Sequence, residues 1–169
     1  MKTVIFAAIA AATAVSAPAF AQDAAPFTGP RAGVTMGYDK IQGHEGFSYG
    51  VTAGYDIAVA NRITFGPEVS LGDSTVDGQG IDASRDIAAS VRLGYVATPQ
   101  LLAFGKVGYA NSRAESAGLH QSFEGVRYGG GLEYSVTPRT YISAEYQRTE
   151  YEDGIGGRDA GVVGIGFRF

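Results

Sequence analysis

Stretch after stretch of this chain alternates, residue by residue, between apolar side chains and polar ones or glycine, and that two-residue period constrains the fold more than any other feature. Successive side chains of a strand point to opposite faces, so a two-residue period gives a strand with one greasy and one polar side. In one such stretch Ile87, Ala89, Val91, Leu93 and Tyr95 form one column, and Asp86, Ala88, Ser90, Arg92 and Gly94 form the other. Earlier in the chain Phe47, Tyr49, Val51, Ala53 and Tyr55 oppose Ser48, Gly50, Thr52, Gly54 and Asp56. Phe65, Pro67, Val69 and Leu71 likewise oppose Gly66, Glu68, Ser70 and Gly72, and Tyr128, Leu132, Tyr134 and Val136 oppose Arg127, Gly129, Gly131, Glu133 and Ser135. The last nine residues, GVVGIGFRF, keep the same period, with Ile165, Phe167 and Phe169 on one side.

Turn signals set the connections. Ala60-Asn61-Arg62, Thr98-Pro99-Gln100 and Thr137-Pro138-Arg139 recur about 38 residues apart, each between an aromatic-rich strand going in and an alternating strand coming out. That is a hairpin repeat. Polar stretches at 40–46, 73–84, 113–124 and 151–158 separate the hairpins and are predicted as long loops. Short turns at one end and long loops at the other imply an all-β fold of eight antiparallel strands in up-and-down order. Gly129, Gly130 and Gly131 fall inside a predicted strand and do not form a phosphate-cradling loop.

The first residues belong to a different kind of segment. Met1 and Lys2 precede an apolar run from Val4 to Val15, and Ala19-Phe20-Ala21 forms a small-x-small site, the pattern of a secretory signal peptide over residues 1–21. The expected mature domain is 22–169. It keeps all 17 acidic residues and 12 of the 13 basic ones, a formal charge of −5, so nothing in it reads as a nucleic-acid surface. With no cysteine, an exported chain has neither disulfides nor Cys-ligated metal for stability, and must rely on packing or on a bilayer. A mean hydropathy of +0.01 suits a membrane barrel, in which only alternate residues meet lipid.

The bilayer is favoured by how the outward column is laid out. Tyr55, Phe65, Tyr95, Tyr134, Phe167 and Phe169 gather near the short turns, and Tyr38, Tyr49, Tyr109 and Tyr146 toward the long loops, like two interfacial girdles. The opposite column holds Arg31, Arg92, Lys106, Arg127 and Arg168 against Asp56, Glu68, Asp86, Glu133 and Glu145. An eight-stranded barrel is only just wide enough to be filled by side chains, so these charges must pair.

With its signal peptide ending AFA, its eight alternating strands, AEYQRTEY at 144–151 and its terminal GIGFRF, the chain resembles the small outer-membrane barrels of Gram-negative bacteria, the OmpA-like and opacity-type porin-family group. The likeness covers nearly all of residues 27–169. It implies an eight-stranded transmembrane β-barrel in the bacterial outer membrane, surrounded by lipid and lipopolysaccharide. An interior charge network is implied too, drawing on Glu68, Arg92, Lys106, Glu133 and Glu145, with Arg127 among the inward bases. Phe169, Phe167 and Ile165 would form the terminal signal read by the outer-membrane assembly machinery. No peptidoglycan-binding domain is expected.

Three functions are compatible with such a chain. The first is a structural or surface-interaction barrel whose loops are acidic, holding Glu45, Asp73, Asp77, Asp82, Glu115, Glu124, Glu152 and Asp153 against Lys40, Arg113 and Arg158. Such loops attract divalent cations or basic partners, and they also serve plain solvation. The second is a narrow pore, against which the small lumen argues. The third is a lipid-modifying enzyme at the outer rim built from His44, His120, Asp73, Ser74 and Ser122, for which no joining motif is present. The surface barrel is the preferred reading, with no enzymatic activity, no cofactor, no metal and an unidentified host or surface ligand.

Overall fold

A computed structural model describes residues 27–41, 44–74, 82–116, 119–151 and 157–169, with side chains described except at 41, 44, 82–84 and 113–123. The segment predicted as a signal peptide lies outside these residues. Eight strands follow in order: β1 (Gly29–Ile41), β2 (His44–Ala60), β3 (Ile63–Ser74), β4 (Asp82–Thr98), β5 (Leu101–Ser116), β6 (Leu119–Ser135), β7 (Thr140–Tyr151) and β8 (Gly157–Arg168). Each pairs antiparallel with its successor. β8 returns to β1, with Arg168 opposite Arg31 and Arg158 opposite Ile41, and the sheet closes into a barrel. Closure satisfies the backbone within the wall, which is what allows strands to cross hydrocarbon.

The three predicted turns lie together at one end, at 61–62, 99–100 and 136–139. Short turns mark the periplasmic side of an outer-membrane barrel, so this is the inner end. There Arg62, Gln100 and Arg139 each offer a carbonyl to the strand beyond, accepting from Val96, Ser135 and Arg168 at 2.8, 2.9 and 2.8 Å. Thr137 Oγ1 accepts from the backbone N–H of Arg139 and Thr140, which fixes the tightest part of its turn.

At the outer end the strands reach further than the sequence predicted. Much of 40–46 and 113–124, expected as loop, is ladder: Lys40 pairs with Glu45 and Asn111 with Glu124, leaving only residues 42–43 between β1 and β2 and 117–118 between β5 and β6. The sequence there lacks a clear apolar column, so the hydropathy contrast disappears while the backbone pairing continues. Arg158, expected among the loop charges, is a buried residue of β8.

The apolar columns face outward. Val34, Val51, Leu71, Val91, Leu93, Val107, Leu132, Val163 and Ile165 are all exposed, as are all ten girdle aromatics named above. On β4 the outward run goes from Tyr95 up to the exposed Arg85. At about 3.3 Å per residue and a tilt near 40°, those ten steps project to about 25 Å, the height of the apolar band of an outer-membrane barrel. The inward columns carry the charges. A small apolar core, Phe27, Val96, Leu102 and Phe104 with Ala58 against it, sits at the inner mouth.

Candidate functional site

The interior divides into two ionic clusters stacked along the barrel axis. In the lower one Asp56 Oδ2 lies 2.8 Å from Arg31 Nε, 3.3 Å from Arg92 Nη1 and 3.1 Å from Arg168 Nη1. Glu133 accepts from Arg92 at 2.7 Å and from Arg168 at 2.6 Å. Glu68 joins Arg31 at 2.7 Å to Lys106 at 2.9 Å, and Lys106 reaches Glu145 at 2.8 Å. Four cations thus meet four anions. Asp56 and Glu133 are both only 1% exposed, and a buried carboxylate needs such partners to remain charged. The Arg92 guanidinium also lies over the Phe104 ring, 3.9 Å from its centroid, tying the cluster to the apolar core beneath.

The upper cluster joins Arg158 to Asp39, Arg158 to Asp86 at 3.7 Å, and Arg127 to Asp86 at 2.6 Å. Hydroxyls complete it. Ser48 and Ser74 donate to Asp39 at 3.1 and 3.0 Å, Ser112 donates to Asp86 at 3.2 Å, and Arg127 Nε donates to Thr149 Oγ1 at 2.9 Å. Two cations here meet two anions, so among the described residues each cluster is neutral by itself.

The network residues named from sequence therefore divide unequally. Glu68, Arg92, Lys106, Glu133 and Glu145 belong to the lower cluster and Arg127 to the upper. The Asp39–Arg158 pair was missed, because polar neighbours in sequence at 40–46 and 151–158 hid the inward period of β1 and β8. That period was the available signal: Asp39 continues the column of Gly33, Thr35 and Gly37, and Arg158 that of Val162, Gly164 and Gly166.

Ser74, a candidate nucleophile, turns its hydroxyl inward to Asp39, and Asp73 accepts from the Ser74 backbone N–H at 2.9 Å. The side chains of His44, His120 and Ser122 lie outside the described residues. Among the described residues no three His, Cys, Asp or Glu side chains gather as a metal site would require. A polar cavity of about 90 Å³ runs beside both clusters, lined by Thr35, Thr52, Ser70, Ser143, Gln147 and the charges around them. It has room for a few water molecules and is too small for an organic cofactor.

Outside, the upper girdle is bonded to carboxylates: Tyr38 to Glu45, Tyr109 to Glu124 at 3.2 Å, Tyr128 to Glu150 at 2.9 Å and Tyr146 to Asp159 at 2.5 Å. Each tyrosine thus keeps its ring toward the apolar band and its hydroxyl in a polar layer. Phe167 and Ile165 face outward on β8. Phe169, 78% exposed, donates its backbone N–H to Pro30 at 2.9 Å, so the terminal residue stands on the β1–β8 seam.

A closed antiparallel wall, apolar outside, girdled by aromatics at both ends and ionic within, defines a transmembrane β-barrel of the bacterial outer membrane. The profile of the outer membrane protein beta-barrel domain family matches residues 7–169, and the chain belongs to that family. It is 28% identical to the 31 kDa outer-membrane immunogenic protein of Brucella melitensis, over 89% of this chain and 87% of that one. Among solved structures it is similar to Ail, the attachment invasion locus protein of Yersinia pestis, with TM-score 0.63 and 18% identity over 84% of this chain and 97% of that one. It is also similar to the N-terminal β-barrel domain of Pseudomonas aeruginosa OprF, with TM-score 0.62 and 16% identity over 84% and 99%. At such identities the two structures speak for the fold alone.

Proposed function

We propose that this protein is a closed surface-interaction barrel, a rigid wall that carries an acidic rim outside the cell and conducts no solute. The observation that supports this reading most is the filled lumen: two neutral ionic clusters span the interior, and beneath them Phe27, Val96, Leu102 and Phe104 close the inner mouth. A pore needs a continuous aqueous path past Arg92 and Lys106, and both are buried among their counter-ions. An acyl-transfer reading needs Ser74 free at the rim, whereas its hydroxyl is bonded to Asp39.

The rim chemistry favours cationic partners. Outward-facing Glu45, Asp73, Glu124, Glu150 and Asp159 outnumber Lys40, Arg85 and Arg148 among the described residues, and the sequence adds Asp77, Glu152 and Asp153. Ail of Yersinia pestis has been solved with the heparin analogue sucrose octasulfate. A polyanion of that kind is repelled by this rim, so the ligand here is of the opposite sign.

Two measurements test the proposal. The folded barrel in a planar bilayer gives no ion current above background. In nanodiscs it binds a polylysine probe, more weakly as salt rises through the range where surface charges are screened, and Glu124→Lys with Glu150→Lys abolishes that binding. Steady conductance, or polylysine binding indifferent to both substitutions, overturns the reading.

A further inference from the structure

Phe27 precedes β1 and takes no part in the barrel ladder, yet it is the most deeply placed aromatic at the inner mouth, 0% exposed. Its side chain is held in the cluster with Val96 of β4 and Leu102 and Phe104 of β5, and Ala58 of β2 packs against that cluster. Its carbonyl accepts a 2.7 Å hydrogen bond from Arg168 Nη1 of β8, the same nitrogen that lies 3.1 Å from Asp56 Oδ2. The chain reaches this place through Gly29 at φ +100°, which an L side chain rarely adopts, and a Cβ there would meet the Phe169 carbonyl oxygen at 2.8 Å. Four strands therefore contribute to one seat, and the occupant is a residue outside the wall.

We infer that Phe27 is a built-in stopper: it seals the inner mouth and latches the β1–β8 seam of the finished barrel. The inference rests on the closed-lumen reading above and adds which segment makes the seal and when it forms. Arg168 ends the last strand and Phe169 follows it, so the seat is complete only after β8 has paired with β1. Contacts made after closure are absent from the folding transition state and act on the unfolding rate. The stopper is consequently a device for holding the barrel shut and not for building it.

The chain has no cysteine, so Ala58→Cys supplies a single thiol beside the seat. A bulky, charged, membrane-impermeant maleimide is applied to the folded barrel, with folding verified by its heat-dependent gel mobility. Introducing Phe27→Ala raises the labelling rate on the order of tenfold or more, as expected when the burial energy of one Phe no longer holds the mouth closed. Phe27→Leu keeps the thiol protected. Gly29→Ala, which leaves the ring intact and displaces its approach against the Phe169 carbonyl, raises labelling as Phe27→Ala does and serves in its place if that variant assembles poorly. In denaturant, Phe27→Ala speeds unfolding and leaves the folding rate unchanged.

Equal labelling of folded Phe27→Ala and its parent, or folding slowed as much as unfolding is quickened, overturns the stopper. If the parent itself labels rapidly and conducts, the closed-lumen reading fails instead, so the two failures are distinguishable.

Discussion

Asp56 and Glu145 are both buried carboxylates, but their burdens differ. Asp56 Oδ2 serves three guanidiniums, whereas Glu145 meets one cation among the described residues, Lys106, which keeps Glu68 as a second partner. Removing Asp56 takes a charge-assisted contact from Arg31, Arg92 and Arg168 at once and leaves Glu68 and Glu133 to serve all three, so Asp56→Ala should cost about 3–5 kcal/mol in lipid. Glu145→Ala should cost roughly 1.5–3 kcal/mol, the scale of one charge-assisted bond whose partner is not orphaned. Urea unfolding in vesicles measures both, and equal losses would count against this partition. The inward facing of these residues was legible from the two-residue period. Their partners were not: a column gives the side of the wall, while pairing depends on how strand stagger sets heights across the lumen, as with Arg92 and Glu133, which lie on non-adjacent strands.

Among the elements, β3 carries an irregularity that positions the lower cluster. Between the pairs Gly54–Glu68 and Ile57–Phe65 the β2–β3 ladder lapses, opposite Gly66 and Pro67. Pro67 has no N–H to donate, and at Gly66 the Tyr55 carbonyl comes so close that no Cβ fits between them. Asp56 lies in this lapse, aimed at its three arginines. Gly66→Ala should therefore destabilise the barrel by about 2 kcal/mol through backbone displacement, read in the same unfolding assay. On β8, deletion of Phe169 should lower the yield of membrane-inserted barrel in cells several-fold more than it alters the unfolding of barrel already folded, since the residue stands outside the packed interior. The sequence made strand identity and order legible, because alternation and the turn residues at 61–62, 99–100 and 137–139 agree. It did not make the outer strand ends legible, because beyond the girdle the sequences of β1, β2, β5 and β6 turn polar at successive positions and the amphipathic contrast is lost.

For the whole molecule, the height of the apolar band fixes where a charge is intolerable. Val91 stands near the middle of the run from Tyr95 to Arg85, so Val91→Arg should cost about 2–4 kcal/mol of stability in lipid, while Leu71→Arg, nearer the outer girdle, should cost about 0–1 kcal/mol. Folding titrations in vesicles decide this, and a depth-independent cost would contradict the placement in the bilayer. The stacked clusters have their own reach. Because the upper and lower groups each sum to zero, a single charge change inside breaks an electrical ledger that only a compensating change in the same group restores. Exchanging the signs at Asp39 and Arg158 together leaves that sum intact, whereas either change alone does not. A lumen built this way should therefore tolerate exchange of its ions as opposite-signed couples better than one by one, while the wall around it stays unchanged.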